Sequence, residues 1–304
     1  MDKKQLVIIG SGPAGLAAAI YAGRAELHGL LLEKLSPGGQ VLITDRVENY
    51  PGFPDGISGF ELVDKMAAHA KKFGIEQRND EVVSIERRDD ALSISLAGED
   101  NILTEAIIIA TGATHRSLGV KGEKELTGKG VSYCATCDGP FFRDQVVAVV
   151  GGGDSAVQEA IFLTRFAKKV YLIHRRDELR ATKVLQKKAF DNDSIELVWD
   201  SVVEEIIGAD SVEAVRIRNK KTDQDSVLEV QGVFIFVGIQ PNTGFVKGLV
   251  EMDEQGFIKT DEWMRTSEKG IYAAGDCRSK PLLQIVTAVS DGATAAFAVE
   301  HDLS

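Results

Sequence analysis

Residues 5–15, QLVIIGSGPAG, place an apolar strand directly before a glycine-rich turn, and a helix of small residues follows to about Arg24. In the pattern G-x-G-x-x-G, the first glycine makes the tight turn and the second lets the backbone approach a pyrophosphate. The third glycine lets the helix and strand pack closely. Because free N–H groups and the helix dipole favour anions at a helix N-terminus, this stretch predicts a dinucleotide-binding unit.

The same pattern restarts later in the chain. The stretch VVAVVGGGDSA (146–156) is again an apolar strand and a glycine turn, and a helical sequence follows it. Three small residues of the first turn have counterparts in the second: Gly10, Gly12 and Gly15 correspond to Gly151, Gly153 and Ala156. An internal repeat of this kind predicts two similar nucleotide-binding units within an α/β fold.

Periodicity and turn residues predict the other elements. These are an amphipathic helix in 58–74 that opens with a capping box from Ser58 to Glu61, antiparallel strands at 81–87 and 91–96, a buried strand and tight turn in 106–113, strands within 202–237, and a last helix at about 284–300.

The residue at the end of the second strand differs between the two repeats. Glu33 holds this position in the first repeat, where a carboxylate can accept hydrogen bonds from ribose hydroxyls. In the second repeat His174 holds it, and Arg175, Arg176 and Arg180 follow. A carboxylate would repel a 2′-phosphate, whereas guanidinium groups bind phosphate bidentately. The first unit is therefore predicted to bind FAD or NAD, and the second to prefer NADPH over NADH.

Composition excludes several classes of partner. The 304 residues carry 35 Lys and Arg against 46 Asp and Glu, a formal net charge of −11, which argues against nucleic acid and anionic membrane surfaces. No run approaches about 18 apolar residues, so a membrane span is not expected. Three cysteines are too few for a disulfide scaffold, which predicts a reducing, cytoplasmic compartment.

The stretch SYCATCDGP (132–140) holds two of the three cysteines as Cys134-x-x-Cys137, followed by Asp138. Zinc needs about four ligands, and the five histidines offer no H-x₃₋₅-H partner for a single cysteine pair. A purely structural disulfide conflicts with a reducing compartment, so a redox-active pair is the favoured interpretation. Asp138 is a candidate proton donor and acceptor; its other interpretation is a helix N-cap, and the two roles are compatible. The third cysteine, Cys277, is predicted to be a buried, inert thiol.

Taken together, these motifs resemble a known family. The sequences GSGPAGLAAAIYAGRA, GGQ, VENYPGF, ATGA, YCATCDG, GGGDSA, HRRDELRA, GIQPNT and IYAAGD occur in this order over nearly the whole chain. This combination resembles the low-molecular-weight thioredoxin reductases, flavoenzymes with two dinucleotide-binding domains.

The resemblance implies an α/β fold with two Rossmann-like dinucleotide-binding domains, each built of three layers in the order sheet, sheet and helices (ββα). A discontinuous FAD domain would comprise residues 1–113 and 246–304, and an inserted NADPH domain, 114–245, would carry the C-x-x-C. Electrons would pass from NADPH through FAD and the Cys134–Cys137 disulfide to thioredoxin or a similar protein. Cys137 would be the flavin-proximal thiol, and Cys134 would complete the exchange. The family forms homodimers, and its domains rotate about a hinge, expected here at 110–114 and 238–242.

The resemblance also completes the predicted sites by motif match. The FAD residues would be Gly10, Gly12, Pro13, Ala14, Gly15, Glu33, Gly39, Gln40, Asn49, Thr111, Gly112, Gly275, Asp276, Gln284 and Ile285. The NADPH residues would be Gly151, Gly153, Asp154, Ser155, Ala156, His174, Arg175, Arg176, Arg180 and Ile239. No metal is expected.

One position departs from the family pattern, in which an Arg-Gln pair precedes the last helix. Here Leu283 replaces the arginine and Gln284 remains, which puts one flavin or dimer contact in doubt. Two other functions stay open: a flavin-dependent dithiol oxidase of a small molecule, and a non-catalytic flavin redox sensor. The arginine cluster argues against the oxidase, and Asp138 argues against the sensor.

Overall fold

The structure is a computed structural model that describes residues 2–44, 46–89, 91–98 and 101–304. The chain divides into two compact units. Unit 1 comprises Met1–Thr114 and Gln240–Ser304, and unit 2 comprises His115–Ile239. The second segment of unit 1 begins earlier than position 246 because Asn242 donates its backbone N–H to Gly112 O at 3.0 Å and Val246 is buried in the core of unit 1.

The elements are numbered in chain order. The strands are β1 (Asp2–Ile9), β2 (Gly29–Glu33), β3 (Glu76–Asn79), β4 (Val82–Arg88), β5 (Ala91–Leu96), β6 (Asn101–Ile109), β7 (Ala113–His115), β8 (Val131–Ser132), β9 (Val146–Gly151), β10 (Lys169–Ile173), β11 (Ile195–Val198), β12 (Ser201–Ile207), β13 (Ala214–Asn219), β14 (Asp225–Glu229), β15 (Gly232–Phe236), β16 (Ile239–Pro241) and β17 (Ile271–Ala273). The α-helices are α1 (Pro13–Arg24), α2 (Gly59–Lys72), α3 (Ala135–Asp138), α4 (Asp154–Leu163), α5 (Lys183–Phe190) and α6 (Ile285–Leu303). Short 3-10 helices cover Gly39–Ile43, Gly139–Phe142, Gly244–Val246 and Gly275–Cys277.

Unit 1 is built on a sheet of order β3-β2-β1-β6-β5-β4, in which β17 also pairs with β6. The pairs β1–β2, β1–β6, β2–β3 and β6–β17 are parallel, whereas β4–β5 and β5–β6 are antiparallel. Alternate residues of β1 enter different cores. Leu6 and Ile8 pack with α1, α2 and α6, and Val7 and Ile9 pack with side chains of β4 and β5. This period of two is expected of a strand that is buried on both faces.

Unit 2 repeats the plan with three distinct layers. Its central sheet has the order β11-β10-β9-β15-β8 and every pair is parallel. Val147 and Val149 of β9 pack against α4, whereas Ala148 and Val150 pack against the antiparallel sheet β12-β13-β14. This helix–sheet–sheet arrangement confirms the predicted ββα layering.

The local predictions are largely confirmed. The antiparallel pair appears as β4 and β5, and the last helix covers Ile285–Leu303. Ser58 caps α2 by accepting the Glu61 N–H at 3.1 Å, while the Glu61 carboxylate lies 3.3 Å from Lys65 Nζ. A full capping box opens α6 instead, between Gln284 and Thr287. Over the described residues, the helices are too short or too polar to cross a membrane.

Candidate functional site

The first glycine turn has the geometry that its spacing predicts. Gly10 has a φ of +99°, and a Cβ there would lie 2.5 Å from the Ala110 carbonyl oxygen. A Cβ on Gly15 would lie 1.8 Å from Gly10 O, so this glycine is required for close packing of α1 on β1. A Cβ on Gly12 would meet nothing within 4 Å. The backbone at Gly12 is therefore open at the N-terminus of α1, where an anionic group would bind.

Glu33, at the end of β2, is held against this turn. Its Oε2 accepts the backbone N–H of Ser11 at 2.8 Å and the Ser11 hydroxyl at 2.7 Å. Its Oε1 accepts the Leu35 N–H at 3.0 Å. A carboxylate has about four acceptor sites, so Glu33 keeps capacity for a further donor. Ser11, which the sequence analysis did not select, fixes the orientation of this carboxylate.

Other predicted FAD residues come together around the same turn. Gln40 donates to Ala113 O at 2.9 Å, and Asn49 Nδ2 donates to Gln284 Oε1 at 2.9 Å. A Cβ on Gly39 would lie 3.7 Å from Gly12 Cα, and one on Gly275 would lie 2.9 Å from Ala14 Cβ. Two more predicted residues occupy the first position of a helix: Pro13 in α1 and Ile285 in α6.

Thr111 and Gly112 form the turn after β6, where Gly112 has a φ of +66°. The Thr111 hydroxyl donates to Asn242 O at 2.7 Å, and Asn242 Nδ2 donates to Thr111 O at 2.9 Å. These bonds join segments 131 residues apart. The hydroxyl of the predicted residue Thr111 is therefore used in a hydrogen bond within the fold. Its partner Asn242, which stabilises this turn, was not among the predicted residues.

Asp276, whose side chain is half-buried, belongs to an ionic network whose other members are nearly buried. Its Oδ1 is 3.2 Å from Lys280 Nζ, and Lys280 also lies 3.1 Å from Asp291 Oδ2. Asp291 accepts the Gly275 N–H at 3.1 Å and pairs with Arg278 at 3.3 Å. Burial raises the pKa of the Asp276 carboxyl, and Lys280 opposes this shift. Lys280 and Asp291 were not predicted, although an acid among the alanines of α6 is a signal that could have identified Asp291.

The second glycine turn resembles the first but has different neighbours. Gly151 has a φ of +154°, and a Cβ on Gly153 would meet nothing within 4 Å. The N–H groups of Arg180 and Ala181 donate to Gly152 O at 2.7 and 3.2 Å. The Asp154 carboxylate, at the start of α4, accepts the Thr182 N–H at 2.7 Å. These bonds tie the segment containing Arg180 to the turn.

The basic cluster divides into a buried and an exposed part. His174 is 4% exposed, and its ring packs so closely on Gly152 that a Cβ there would lie 2.2 Å from Nδ1. Burial lowers the pKa of this imidazole. Arg175, Arg176 and Arg180 are exposed, as are Asp154 and Ser155 at the start of α4. The three arginine side chains are therefore accessible to a ligand, whereas the buried His174 ring packs against the glycine turn at Gly152.

Cys134 and Cys137 form a disulfide between the end of β8 and helix α3. The Cys137 N–H donates to Cys134 Sγ at 3.2 Å, so Cys134 caps α3. The Asp138 side chain makes no capping bond to the following 3-10 helix and instead accepts the Ser132 hydroxyl at 2.5 Å. Burial raises the pKa of Asp138, and the Ser132 bond opposes the shift. The N-cap alternative for the Asp138 carboxylate is therefore wrong.

The segment before the disulfide is also fixed. The Tyr133 hydroxyl donates to Glu123 Oε1 at 2.8 Å, and Glu123 accepts the Leu118 and Gly119 N–H groups at 2.9 and 2.7 Å. Burial, followed by the bond to Glu123, raises the pKa of Tyr133. Glu123 is 3% exposed and has these three donors, so it is a structural carboxylate.

The prediction for Cys277 is confirmed. The thiol is fully buried, and its sulfur lies 3.3 Å from each of two carbonyl acceptors, Ile109 O and Ala274 O. Burial raises its pKa to about 11. A thiol in this environment stays protonated near neutral pH and is a poor nucleophile.

Comparisons with known proteins agree with this geometry. A family model described as pyridine nucleotide-disulphide oxidoreductase matches residues 4–292. The thioredoxin reductase of Listeria innocua is 49% identical over 291 residues, covering 95% of this chain and 91% of that protein. That of Peptoclostridium litorale is 46% identical over 301 residues, covering 97% and 95%. The crystal structure of thioredoxin reductase from Streptococcus pyogenes shares 52% identity with a TM-score of 0.95 and covers 99% of this chain and 98% of that one.

Proposed function

We propose that this chain, which belongs to the pyridine nucleotide-disulphide oxidoreductase family, is an NADPH-dependent flavoprotein that reduces a disulfide of thioredoxin or a thioredoxin-like protein. The observation that carries the proposal is the Cys134–Cys137 disulfide beside the half-buried Asp138 carboxyl, in a chain that has two strand–glycine turn–helix units. The names of the relatives support thioredoxin as the protein substrate.

The residues of unit 1 fit FAD. The open backbone at Gly12 would accept the pyrophosphate, and Glu33 would accept hydrogen bonds from the adenosine ribose. Asp276 presents a buried carboxylate oxygen whose neighbour is Lys280, which leaves acceptor capacity for the ribityl hydroxyls. When bound, FAD would supply two-electron transfer between the nucleotide and the disulfide.

The residues of unit 2 fit NADPH. Gly153 leaves the N-terminus of α4 open for a pyrophosphate, and the exposed Arg175, Arg176 and Arg180 would bind the 2′-phosphate. His174 would contribute through the packing of the turn, because burial lowers its pKa and favours the neutral ring.

Asp138 would exchange the protons that thiol chemistry requires. Each thiolate released from a disulfide must be protonated, and each attacking thiol must lose a proton. A carboxyl whose pKa is raised by burial is better matched to this work near neutral pH than an ordinary one. Cys137 would be the flavin-proximal thiol and Cys134 the thiol that attacks the protein substrate.

The test is a spectroscopic assay of the purified holoenzyme without oxygen. Addition of NADPH should bleach the flavin band much faster than addition of NADH. Oxidised thioredoxin should then restore the band, and Cys137→Ser should abolish that step. Cys277→Ser, which changes the buried thiol, is the matched control and should behave like the wild type. Failure of NADPH to bleach the flavin would overturn the proposal, and bleaching without transfer to thioredoxin would overturn its choice of partner.

The assembly and the location are proposed from the exposed surface and the composition. A homodimer is supported by exposed apolar side chains on α6, including Val286 and Phe297, and sedimentation of the holoenzyme would test it. A cytoplasmic location is supported by the low cysteine content and the need of a dithiol enzyme for a reducing compartment. Detection of the protein in an extracellular fraction would contradict this.

A further inference from the structure

Ser132 has a role that the sequence analysis did not anticipate. It ends β8, is 5% exposed, and lies two residues before Cys134. Its hydroxyl donates to Asp138 Oδ2 at 2.5 Å and accepts the Cys134 N–H at 3.0 Å. The Cys134 carbonyl oxygen is a second acceptor for the same hydroxyl, at 3.3 Å. The buried Ser132 hydroxyl thus links the backbone of Cys134 to the carboxyl of Asp138, the residue after Cys137.

We propose that Ser132 is a positioning residue that holds the Asp138 carboxyl in one place in both of its protonation states. When Asp138 is ionised, the Ser132 O–H donates to Oδ2, as observed. When Asp138 is protonated, its own O–H donates to Ser132 Oγ, and the Ser132 hydrogen turns to Cys134 O. Only a hydroxyl rotation separates the two arrangements, because a serine hydroxyl has one donor and two acceptor sites.

This inference rests on the proposed function, which makes Asp138 gain and lose a proton in each exchange. The dithiol form attacks a partner disulfide, breaks its S–S bond and forms a mixed disulfide, which the second thiol then resolves. The enzyme dithiol is oxidised, the partner disulfide is reduced, and the two thiol protons end on the two partner sulfurs. Asp138 would carry these protons, and Ser132 would keep it hydrogen-bonded throughout.

Few charged groups lie on the elements around Asp138. The 3-10 helix Gly139–Phe142 and the strand β15 carry none. Helix α4, which packs against α3, carries Asp154 and Glu159. Asp154 accepts the N–H of Thr182, whereas Glu159 is half-buried and burial raises the pKa of its carboxyl.

The segment that precedes the disulfide carries Glu123 and Tyr133, which bond to each other. Glu159 is therefore the second carboxyl of this region whose titration must be separated from that of Asp138. The bond from Ser132 lowers the pKa of Asp138 against the effect of burial. Loss of the hydroxyl should accordingly move the pH midpoint of the exchange upward.

The experiment uses pre-reduced holoenzyme mixed with oxidised thioredoxin, and separately with an aromatic disulfide, from about pH 5 to 9. Ser132→Ala should slow the exchange about tenfold, as expected for one hydrogen bond to a charged group, and shift its pH midpoint upward. Ser132→Thr retains the hydroxyl and should restore most of the rate and the midpoint. Ser132→Ala should add little in an Asp138→Asn background, because both changes act on the same group.

Two controls isolate the effect. Ser93→Ala removes another buried hydroxyl, in unit 1, which has no hydrogen-bond partner among the described residues, and should change neither rate nor midpoint. Glu159→Gln should leave the upward shift caused by Ser132→Ala in place. A folded Ser132→Ala enzyme with a wild-type midpoint would overturn the proposal, as would a folded Ser132→Thr enzyme with a shifted midpoint. A wild type that reacts with the aromatic disulfide and not with thioredoxin would refute the proposed partner while leaving the Ser132 test valid.

Discussion

The two glycine turns follow one fingerprint but are surrounded differently. In unit 1 the turn is crossed by other backbone: a Cβ on Gly292 of α6 would lie 2.0 Å from Ala14 O, and one on Gly275 would lie 2.9 Å from Ala14 Cβ. In unit 2 the third glycine of the fingerprint is replaced by Ala156, and the neighbouring backbone belongs to the segment that begins with Arg180. The fingerprint thus fixes the strand-to-helix turn, whereas the residues around the turn differ between the two units, and the proposed choice of ligand rests on those residues.

The largest expected effect is steric. Gly15→Ala would place a methyl group 1.8 Å from Gly10 O, and a backbone atom cannot move away cheaply. We expect this variant to lose bound flavin and to destabilise unit 1 by about 3 kcal/mol or more, the upper range for overpacking. The matched change, Ala156→Gly in α4, should cost only about 1 kcal/mol.

The two tryptophans separate these effects because each unit contains one of them. Trp199 lies in unit 2 and Trp263 in unit 1. Urea unfolding of Gly15→Ala in a Trp199→Phe background reports on unit 1, and unfolding of Ala156→Gly in a Trp263→Phe background reports on unit 2. If Gly15→Ala kept wild-type flavin content and stability, the proposed difference in packing would be refuted.

The next prediction tests ligand choice at the second turn. Replacement of Arg175, Arg176 and Arg180 by glutamine should lower the ratio of kcat/KM for NADPH to that for NADH by about a hundredfold, or about 2.7 kcal/mol. This is less than three full bonds to a charged group at about 1.5–3 kcal/mol each, because the three arginines are exposed and solvent screens them. Steady-state kinetics with both nucleotides measures the ratio. Arg218→Gln removes an exposed arginine of β13 and should leave the ratio unchanged. An unchanged ratio in the triple variant would show that the arginines serve only as a solvated surface.

Sequence predicted those features that depend on neighbours along the chain. The strand, glycine turn and helix of each unit are set by residues within about 20 positions, so both turns, Glu33 and the Cys134–Cys137 pair could be identified before the structure. The arginine cluster was identified for the same reason.

Features that join distant segments could not be predicted in this way. The Asn49–Gln284 bond spans 235 positions and the contact of Gly292 with Ala14 spans most of the chain. His174 illustrates the limit, because its position in the fingerprint suggested a ligand contact whereas tertiary packing buries it against Gly152. Ser132 was overlooked because a serine next to a tyrosine carries no pattern of its own.

A third prediction concerns the ionic network beside the first turn. Lys280→Met should destabilise unit 1 by about 2 kcal/mol, because it removes the buried cation that lies between the Asp276 and Asp291 carboxylates. The loss should be smaller than the about 3–5 kcal/mol of a fully buried pair, since Arg278 still pairs with Asp291 and the Asp276 side chain is 35% exposed. Unfolding in the Trp199→Phe background and flavin retention would measure the loss. Lys34→Met removes an exposed partner of Glu81 at 2.6 Å and should cost at most about 1 kcal/mol. Equal losses in the two variants would contradict the importance of burial.

The smallest expected effect is the pH dependence of stability that comes from His174, the residue of unit 2 at the position that Glu33 occupies in unit 1. Burial lowers the pKa of His174, so between that value and about 6.5 the unfolded state binds more protons than the folded state. The stability of unit 2 should therefore fall as pH decreases below about 6.5, with a slope of at most about 1.4 kcal/mol per pH unit for one proton. His174→Gln should remove this slope in urea unfolding between pH 5 and 8, monitored by Trp199 in a Trp263→Phe background.

Burial also lowers the pKa of His115, but His115 is present in the wild type and in His174→Gln, so its contribution cancels when their stabilities are subtracted. His69→Gln, an exposed change on α2, is the control. Parallel pH curves for wild type and His174→Gln would show that folding leaves the pKa of His174 unchanged. The folded ring would then be protonated below about pH 6.5, and His174 would become a candidate phosphate ligand alongside the arginines.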